Sequence, residues 1–243
     1  MGPMPRAEAR YDLIGDFYAD RVGMDAGDPV AAAVVAMAGG VRAARALDLA
    51  CGPGRIAREL ARGGARVVGA DISEVLLALA RAAEAEDPLG IAYRSEDVTS
   101  PRALEGETFD VVACNHALAD IDDLDGALAT VARVLRPGGR FVFSILHPCF
   151  PGFDDITPSS WPWTGGYRAE GWWLADNPGF RGKVGSNHRM RSTYVNALVR
   201  HGLAIEEAAE PEATADMLAR QAVAQPGAGP LPTFLVLRCA RRL

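Results

Sequence analysis

The chain has 243 residues, 49% of them hydrophobic and 23% charged, which suits one substantial globular domain. A net charge of −6, with arginines scattered rather than clustered, excludes a nucleic-acid backbone as the main partner. No signal-peptide core opens the sequence, the longest apolar run (Val30 to Val41) is broken by Gly39-Gly40, and Cys51, Cys114, Cys149 and Cys239 lack metal-ligand spacing. These features predict a cytoplasmic enzyme with no membrane partner and no metal.

Taken in chain order, Asp28-Pro29 reads as an N-cap with proline at the first helical position, and Gly39-Gly40 ends that helix. A strand is predicted at about 45–50, a helix from Arg55 to Arg62, and a strand over 66–71. Ser73 caps a helix running to about Glu86, strands follow near 91–96 and 109–115, a helix fills 123–136, and a fifth strand covers 140–146. Such alternation implies parallel strands joined by right-handed crossovers. The ending changes to a helix near 192–201 and strands at 203–209 and 233–240. The whole is read as a single domain, 1–243, with a core over 28–146 and two segments outside the alternation. Residues 1–27 carry Tyr11, Phe17 and Tyr18; residues 147–191 carry Trp161, Trp163, Tyr167, Trp172 and Trp173. A structureless loop as long as the second is commonly functional, and it starts at the sheet edge where open parallel sheets bind ligands. Both segments are expected to form a lid, with those five aromatics lining an acceptor pocket; a satellite apolar cluster or a dimer contact is the plainer alternative.

The most informative stretch is Leu47–Arg55, where an apolar run stops at Gly52 and Gly54 and a helical pattern begins at once. Glycines at such a turn let a ligand lie against bare backbone at a helix N-terminus. Asp71 closes the next apolar run nineteen residues after Gly52, where an acid can accept bonds from a ribose diol. Together they predict an adenosine site. Gly52-Pro53-Gly54-Arg55-Ile56-Ala57 also fits the G-x-G-x-x-A dinucleotide fingerprint, so an NAD(P)-dependent oxidoreductase is an alternative. Asp48 inside the first strand speaks against it, and so does the lack of a Tyr-x-x-x-Lys pair: Lys183 is the sole lysine, and Gly179 lies four before it.

With Ser95–Val98, Phe109–Asn115 and Arg133–Phe143 following in order, the chain resembles the class I S-adenosylmethionine-dependent methyltransferases over roughly residues 10 to 240. The resemblance implies an α/β, Rossmann-like sheet of seven mostly parallel strands with an antiparallel final strand and helices on both faces. It implies S-adenosylmethionine as donor, S-adenosylhomocysteine as product, and no metal. In its terms Asp48 meets the donor's amino end, and Ala50, Gly52 and Gly54 bring backbone to the methionine portion. Asp71 holds the ribose hydroxyls, Ile72 packs on adenine, Asp97 and the Val98 amide read the adenine edge, and Asn115 offers its carbonyl. Tyr11 and Tyr18 cover the sulfonium end. His-Pro-Cys-Phe at 147–150 and Ser192–Leu198 resemble a bacterial small-molecule subgroup that includes natural-product, secondary-metabolism enzymes.

Methyl transfer is an in-line displacement, so alignment is the main task, and an acceptor hydroxyl or amine needs a base for its proton. His147 is the first candidate and His188 the second, because imidazole titrates near neutrality. Asp120, on the loop after strand four, either faces the pocket or caps the next helix. His116 ranks below these three, and His201, at a helix end before Gly202, reads as structural. The partner is a small, partly aromatic acceptor methylated on O, N or C, and the protein is a monomer or homodimer. A non-catalytic, cofactor-binding regulatory domain is the remaining alternative.

Overall fold

The computed structural model describes residues 9–21, 28–149, 166–175, 179–212, 214, 215, 218, 219, 222 and 232–242. The chain enters through a 3-10 turn at Arg10–Ile14 and the helix α1 (Gly15–Arg21), then α2 (Pro29–Ala38). Alternation follows: β1 (Arg45–Leu49), α3 (Arg55–Arg62), β2 (Arg66–Asp71), α4 (Glu74–Glu86), β3 (Ala92–Ser95), β4 (Phe109–Asn115), α5 (Leu124–Val134) and β5 (Leu135–Leu146). After the insert come α7 (Arg191–Arg200), β8 (Leu203–Ala209) and β9 (Phe234–Arg241). The seven strands form one sheet in the order β3-β2-β1-β4-β5-β9-β8. All neighbours up to β5 pair in parallel, and β9 runs antiparallel to both β5 and β8. This is the seven-stranded architecture the sequence predicts.

Local chemistry sets the element ends. Asp28 Oδ1 accepts the Val30 amide at 2.9 Å, and Pro29 occupies the position where a missing N–H costs nothing. Ser73 Oγ accepts from Leu76 N at 3.1 Å, and Asp123 Oδ1 from Gly126 N at 2.8 Å, capping α4 and α5. The inner strands β1, β2, β4, β5 and β9 are apolar on both sides where helices cover both faces, while the edge strands β3 and β8 are largely exposed. Ala46, Val67, Val111, Ala113, Val142 and Val236 pack under α2 and α3, while their alternating neighbours Leu47, Val68, Val112, Phe141, Phe143 and Leu237 pack under α5 and α7. Phe141 and Phe143 are fully buried, each contributing roughly 1.5–3 kcal/mol.

Two expectations need correction. The helix expected to reach residue 136 ends at Val134, because Leu135 already pairs with Phe109, and Pro137 disfavours helical backbone at the residue before it. The Arg-Pro-Gly-Gly stretch is absorbed where the register shifts to Val111 against Arg140. Nor is the described part of the insert structureless: β6 (Gly171–Trp173) pairs antiparallel with β7 (Ser186–His188), and α6 (Phe180–Lys183) lies between them. Strands of three residues are too short to leave a readable alternation.

Candidate functional site

The carboxyl ends of β1, β2 and β4 deliver Ala50-Cys51-Gly52, Asp71 and Asn115-His116 to one edge of the sheet, and a two-lobed cavity opens there. The first lobe, about 660 Å³, is lined by Tyr11, Asp71, Ile72, Ser73, Leu76 and Asp120 among others. The second, about 560 Å³, is lined by Asp48, Cys51, Pro53, Arg55 and Ile56. The lobes share Tyr18, Ala50, Gly52, Asn115 and His116, which form their junction.

The glycine turn is held from several sides. Asp71 Oδ2 accepts the Gly52 amide at 2.7 Å and Oδ1 accepts the Ser73 amide at 2.8 Å. Asp48 Oδ2 accepts the Ala57 amide in the first turn of α3 at 2.8 Å. Gly52 sits at φ +52° and Gly54 at φ +85°. A Cβ on Gly54 would overlap the Tyr93 hydroxyl and stand 2.9 Å from its Cζ, so side chain and backbone conformation both demand glycine. Burial pushes the Asp48 carboxyl up to about 7 despite the Ala57 amide, and the Asp71 carboxylate pushes the same way. Burial raises Asp71 too, against the amides it accepts from.

Aromatic rings from the N-terminal segment cover this edge. Tyr11 and Tyr18 stand edge to face, 5.6 Å between centroids, and Phe180 of α6 meets Tyr18 at 5.5 Å and Phe17 at 5.1 Å. Burial pushes the Tyr18 phenol up to about 12, so it stays protonated. Asp12 Oδ1 accepts from Ser73 Oγ at 2.5 Å, tying this segment to the start of α4. Asp120 joins three elements: Tyr11 donates to Oδ2 at 2.6 Å, Arg181 of α6 pairs with Oδ1, and Arg10 donates to the Asp120 carbonyl at 2.6 Å. Arg189 adds bonds to the carbonyls of Leu118, Ile121 and Asp122 at 2.7–2.9 Å.

Not every candidate residue reaches the cavity. Asp97 closes its own turn, with Oδ1 accepting from Thr99 N at 2.9 Å and Oγ1 at 2.6 Å, and neither it nor Val98 is in the cavity lining. His147 and His188, placed by sequence beside the reacting methyl, instead line a smaller cavity of about 340 Å³ with Trp173, Ser186 and Tyr194. His147 Nδ1 accepts from Cys149 N and Nε2 faces Glu210, both at 3.2 Å; burial lowers its pKa, against the pull of the Glu210 carboxylate. His188 Nε2 bonds the Tyr167 carbonyl at 2.8 Å. The position directly after a strand set their expected direction, but the chain turns to pair His147 N with the Thr233 carbonyl at 2.7 Å.

The described insert aromatics also stand away from the two-lobed cavity. Trp173 is buried against Ala175 and Leu146, Trp172 is 47% exposed over Gly185, and the Tyr167 hydroxyl accepts the Arg191 amide at 2.9 Å. None of the three lines the two-lobed cavity; Trp161 and Trp163 lie outside the described residues. His116, ranked low from sequence, is at the junction, and Phe180, Arg10 and Arg181 were not singled out at all. Long-range pairing puts them there, and no local signal in the sequence marks it.

Comparison with known proteins places this geometry. Residues 47–143 match the family model described as a methyltransferase domain. The crystal structure of an S-adenosylmethionine-dependent methyltransferase from Mesorhizobium loti is 34% identical, with TM-score 0.70, covering 90% of this chain and 100% of that one. Ubiquinone biosynthesis O-methyltransferases from Hahella chejuensis and Alkalilimnicola ehrlichii are each 37% identical, over 103 and 109 residues. Those matches span 43% and 44% of the two relatives' length, and 42% and 45% of this chain.

Proposed function

The chain belongs to the S-adenosylmethionine-dependent methyltransferases, and we propose that it methylates a hydroxyl of a small, partly aromatic metabolite held in the two-lobed cavity. The observation that carries this reading is the pair of buried acids, Asp48 and Asp71, flanking a turn of positive-φ glycine at the junction of the lobes. The cavity residues suit a nucleoside with a cationic tail. Asp71 retains lone pairs for two ribose hydroxyls beyond the two amides it serves, and Asp48 offers negative charge to an ammonium. They do not suit a pyrophosphate, because the Gly52 amide already donates to Asp71 and the facing carboxylates would repel it. That disfavours the nicotinamide alternative.

When bound, S-adenosylmethionine supplies a methyl group on a positively charged sulfur that leaves as a neutral thioether. The protein's own work is alignment and the exclusion of water. Ile72 and Leu76 give the first lobe an apolar wall, and Asn115 is held by Ser144 Oγ, which donates to Asn115 Oδ1 at 2.7 Å. Asp97 and Val98, outside the cavity lining, serve the adenine edge in this reading. Tyr11, Tyr18 and the insert, latched through Asp120 to Arg181, act as the lid. Asp120 therefore works as the latch and not as a base, since both its carboxylate oxygens are engaged. The O-methyltransferase relatives support an oxygen acceptor, and their quinone-biosynthesis name favours a phenolic metabolite over a natural-product one.

Calorimetric titration of the protein with S-adenosylmethionine and S-adenosylhomocysteine, with Asp71→Ala as control, tests the donor site. Mass spectrometry of a phenol panel incubated with the donor tests the acceptor. Micromolar donor binding lost in the variant, with a methylated phenol, supports the reading; binding without any methylated phenol refutes the acceptor class.

A further inference from the structure

His116 is the one histidine at the junction of the lobes, and the two-lobed site leaves it without an assigned task. Its backbone is held in the left-handed region, φ +60°, by the amide's bonds to Ser144 Oγ at 2.9 Å and to the Ser144 carbonyl at 3.2 Å. Non-glycine residues there are uncommon and gather at functional sites. Phe234 packs against the ring at 4.9 Å between centroids, tilted 59°. Among the described residues no hydrogen bond reaches either ring nitrogen, in contrast to His147, His188 and Asp120, whose polar atoms are engaged by protein. A polar ring, fixed by packing, open to the cavity and unsatisfied by protein, is built to meet a ligand's donor.

We propose that His116 is the catalytic residue that takes the proton of an acceptor hydroxyl during methyl transfer. The proposal rests on the methyltransferase reading and on an oxygen acceptor. The acceptor oxygen forms the new bond to the methyl carbon with one lone pair, while the carbon–sulfur pair stays on sulfur. The O–H pair remains on oxygen and the proton passes to a ring nitrogen of His116, which later releases it to water. One positive charge therefore moves from sulfur to imidazole, and no other reactant is needed.

The surroundings keep the ring neutral and ready. Burial lowers its pKa to about 4, and the charged groups facing it pull both ways: Asp28 at the head of α2 and Asp120 after β4 raise it, while Arg181 of α6 and Arg55 of α3 lower it. The neighbouring Tyr18 phenol stays protonated. A weak base suffices because the acceptor oxygen becomes strongly acidic as the new bond forms.

The test uses the wild-type chain, nitrogen-15 labelled and saturated with S-adenosylhomocysteine, in long-range proton–nitrogen NMR of its four histidines. Catechol and 4-nitrophenol are the probes, and His116→Asn, which tolerates left-handed backbone, assigns the signal. A His116 signal that titrates below pH 5 and moves on adding either phenol supports the proposal. So does a His116→Asn protein that binds S-adenosylhomocysteine within about twofold of wild type while kcat for phenol methylation falls about a hundredfold. A His116 signal blind to both phenols in the saturated protein overturns it, as does wild-type kcat in His116→Asn. Failure of S-adenosylhomocysteine to bind would overturn the underlying reading as well, and is told apart because no site signal then responds to that ligand. The titration and the phenol responses are read on the wild-type protein, and if His116→Asn does not fold, variants at the other three histidines, His147, His188 and His201, assign the His116 signal by elimination.

Discussion

Asp48→Asn should make this protein more stable at pH 8 while weakening its hold on the donor. Asp48 is 1% exposed, and burial raises its pKa from the ordinary 3.8 to about 7. Each tenfold change in proton affinity is worth about 1.4 kcal/mol, so ionising Asp48 in the fold costs about 4 kcal/mol more than in the unfolded chain. The sign follows from proton linkage. Between pH 4 and 7 the native state holds a proton that the unfolded state has lost, so stability falls as pH rises through that window. Asparagine does not titrate and its Oδ1 can still accept the Ala57 amide. The stability difference between variant and wild type should grow by about 1.4 kcal/mol per pH unit from pH 4 and level off near pH 7 at about 4 kcal/mol. Urea unfolding of both proteins at pH 4.5, 6 and 8 measures it. A difference that does not change with pH, or a variant less stable at pH 8, refutes the claim that Asp48 is buried at an electrostatic loss.

Other expectations follow from the same geometry. Asp71→Asn replaces a charged acceptor serving two amides and, as proposed, two hydroxyls; S-adenosylhomocysteine affinity should fall by about 2–4 kcal/mol in calorimetry, and a change under threefold contradicts it. Tyr93 Oη is buried with no hydrogen-bond partner, so Tyr93→Phe should stabilise by about 1 kcal/mol in thermal unfolding; a loss of stability would mean the hydroxyl is satisfied. Arg181→Met leaves Asp120 without its cation in a pair whose side chains are only 10% and 14% exposed. About 3 kcal/mol should be lost in urea unfolding, and combining it with Asp120→Asn should restore much of that; simple additivity argues against the latch.

The sheet and the glycine turn were legible because their signals are local. Leu47–Leu49, Gly52, Gly54 and Asp71 carry their meaning within twenty-five residues, and the short continuous apolar runs of β4 and β5 mark strands buried on both faces. The acceptor end was not, and the reason is physical. Whether His116 or His147 faces the cavity depends on how the chain turns after β4 and β5, which Ser144 and Thr233 decide from 28 and 86 positions away. Trp172 and Trp173 share composition with a ligand-binding wall, yet one covers Gly185 and the other fills a small apolar cluster. Aromatic content predicts burial against something; it does not name the partner.

The sheet order has a consequence for synthesis. β9 is the last of the seven strands to leave the ribosome, yet it lies inside the sheet, between β5 and β8. Until residues 234–241 emerge, the backbone donors and acceptors of β5 from Arg140 to Leu146 have no partner on that side, and an open strand edge beside Phe141 and Phe143 is a template for pairing with another chain. The nascent molecule is thus most prone to aggregate between the emergence of β5 and that of β9. Insertion of the final strand is the step that closes the core, so this protein completes its tertiary structure after translation of β9 and not domain-piece by domain-piece along the way.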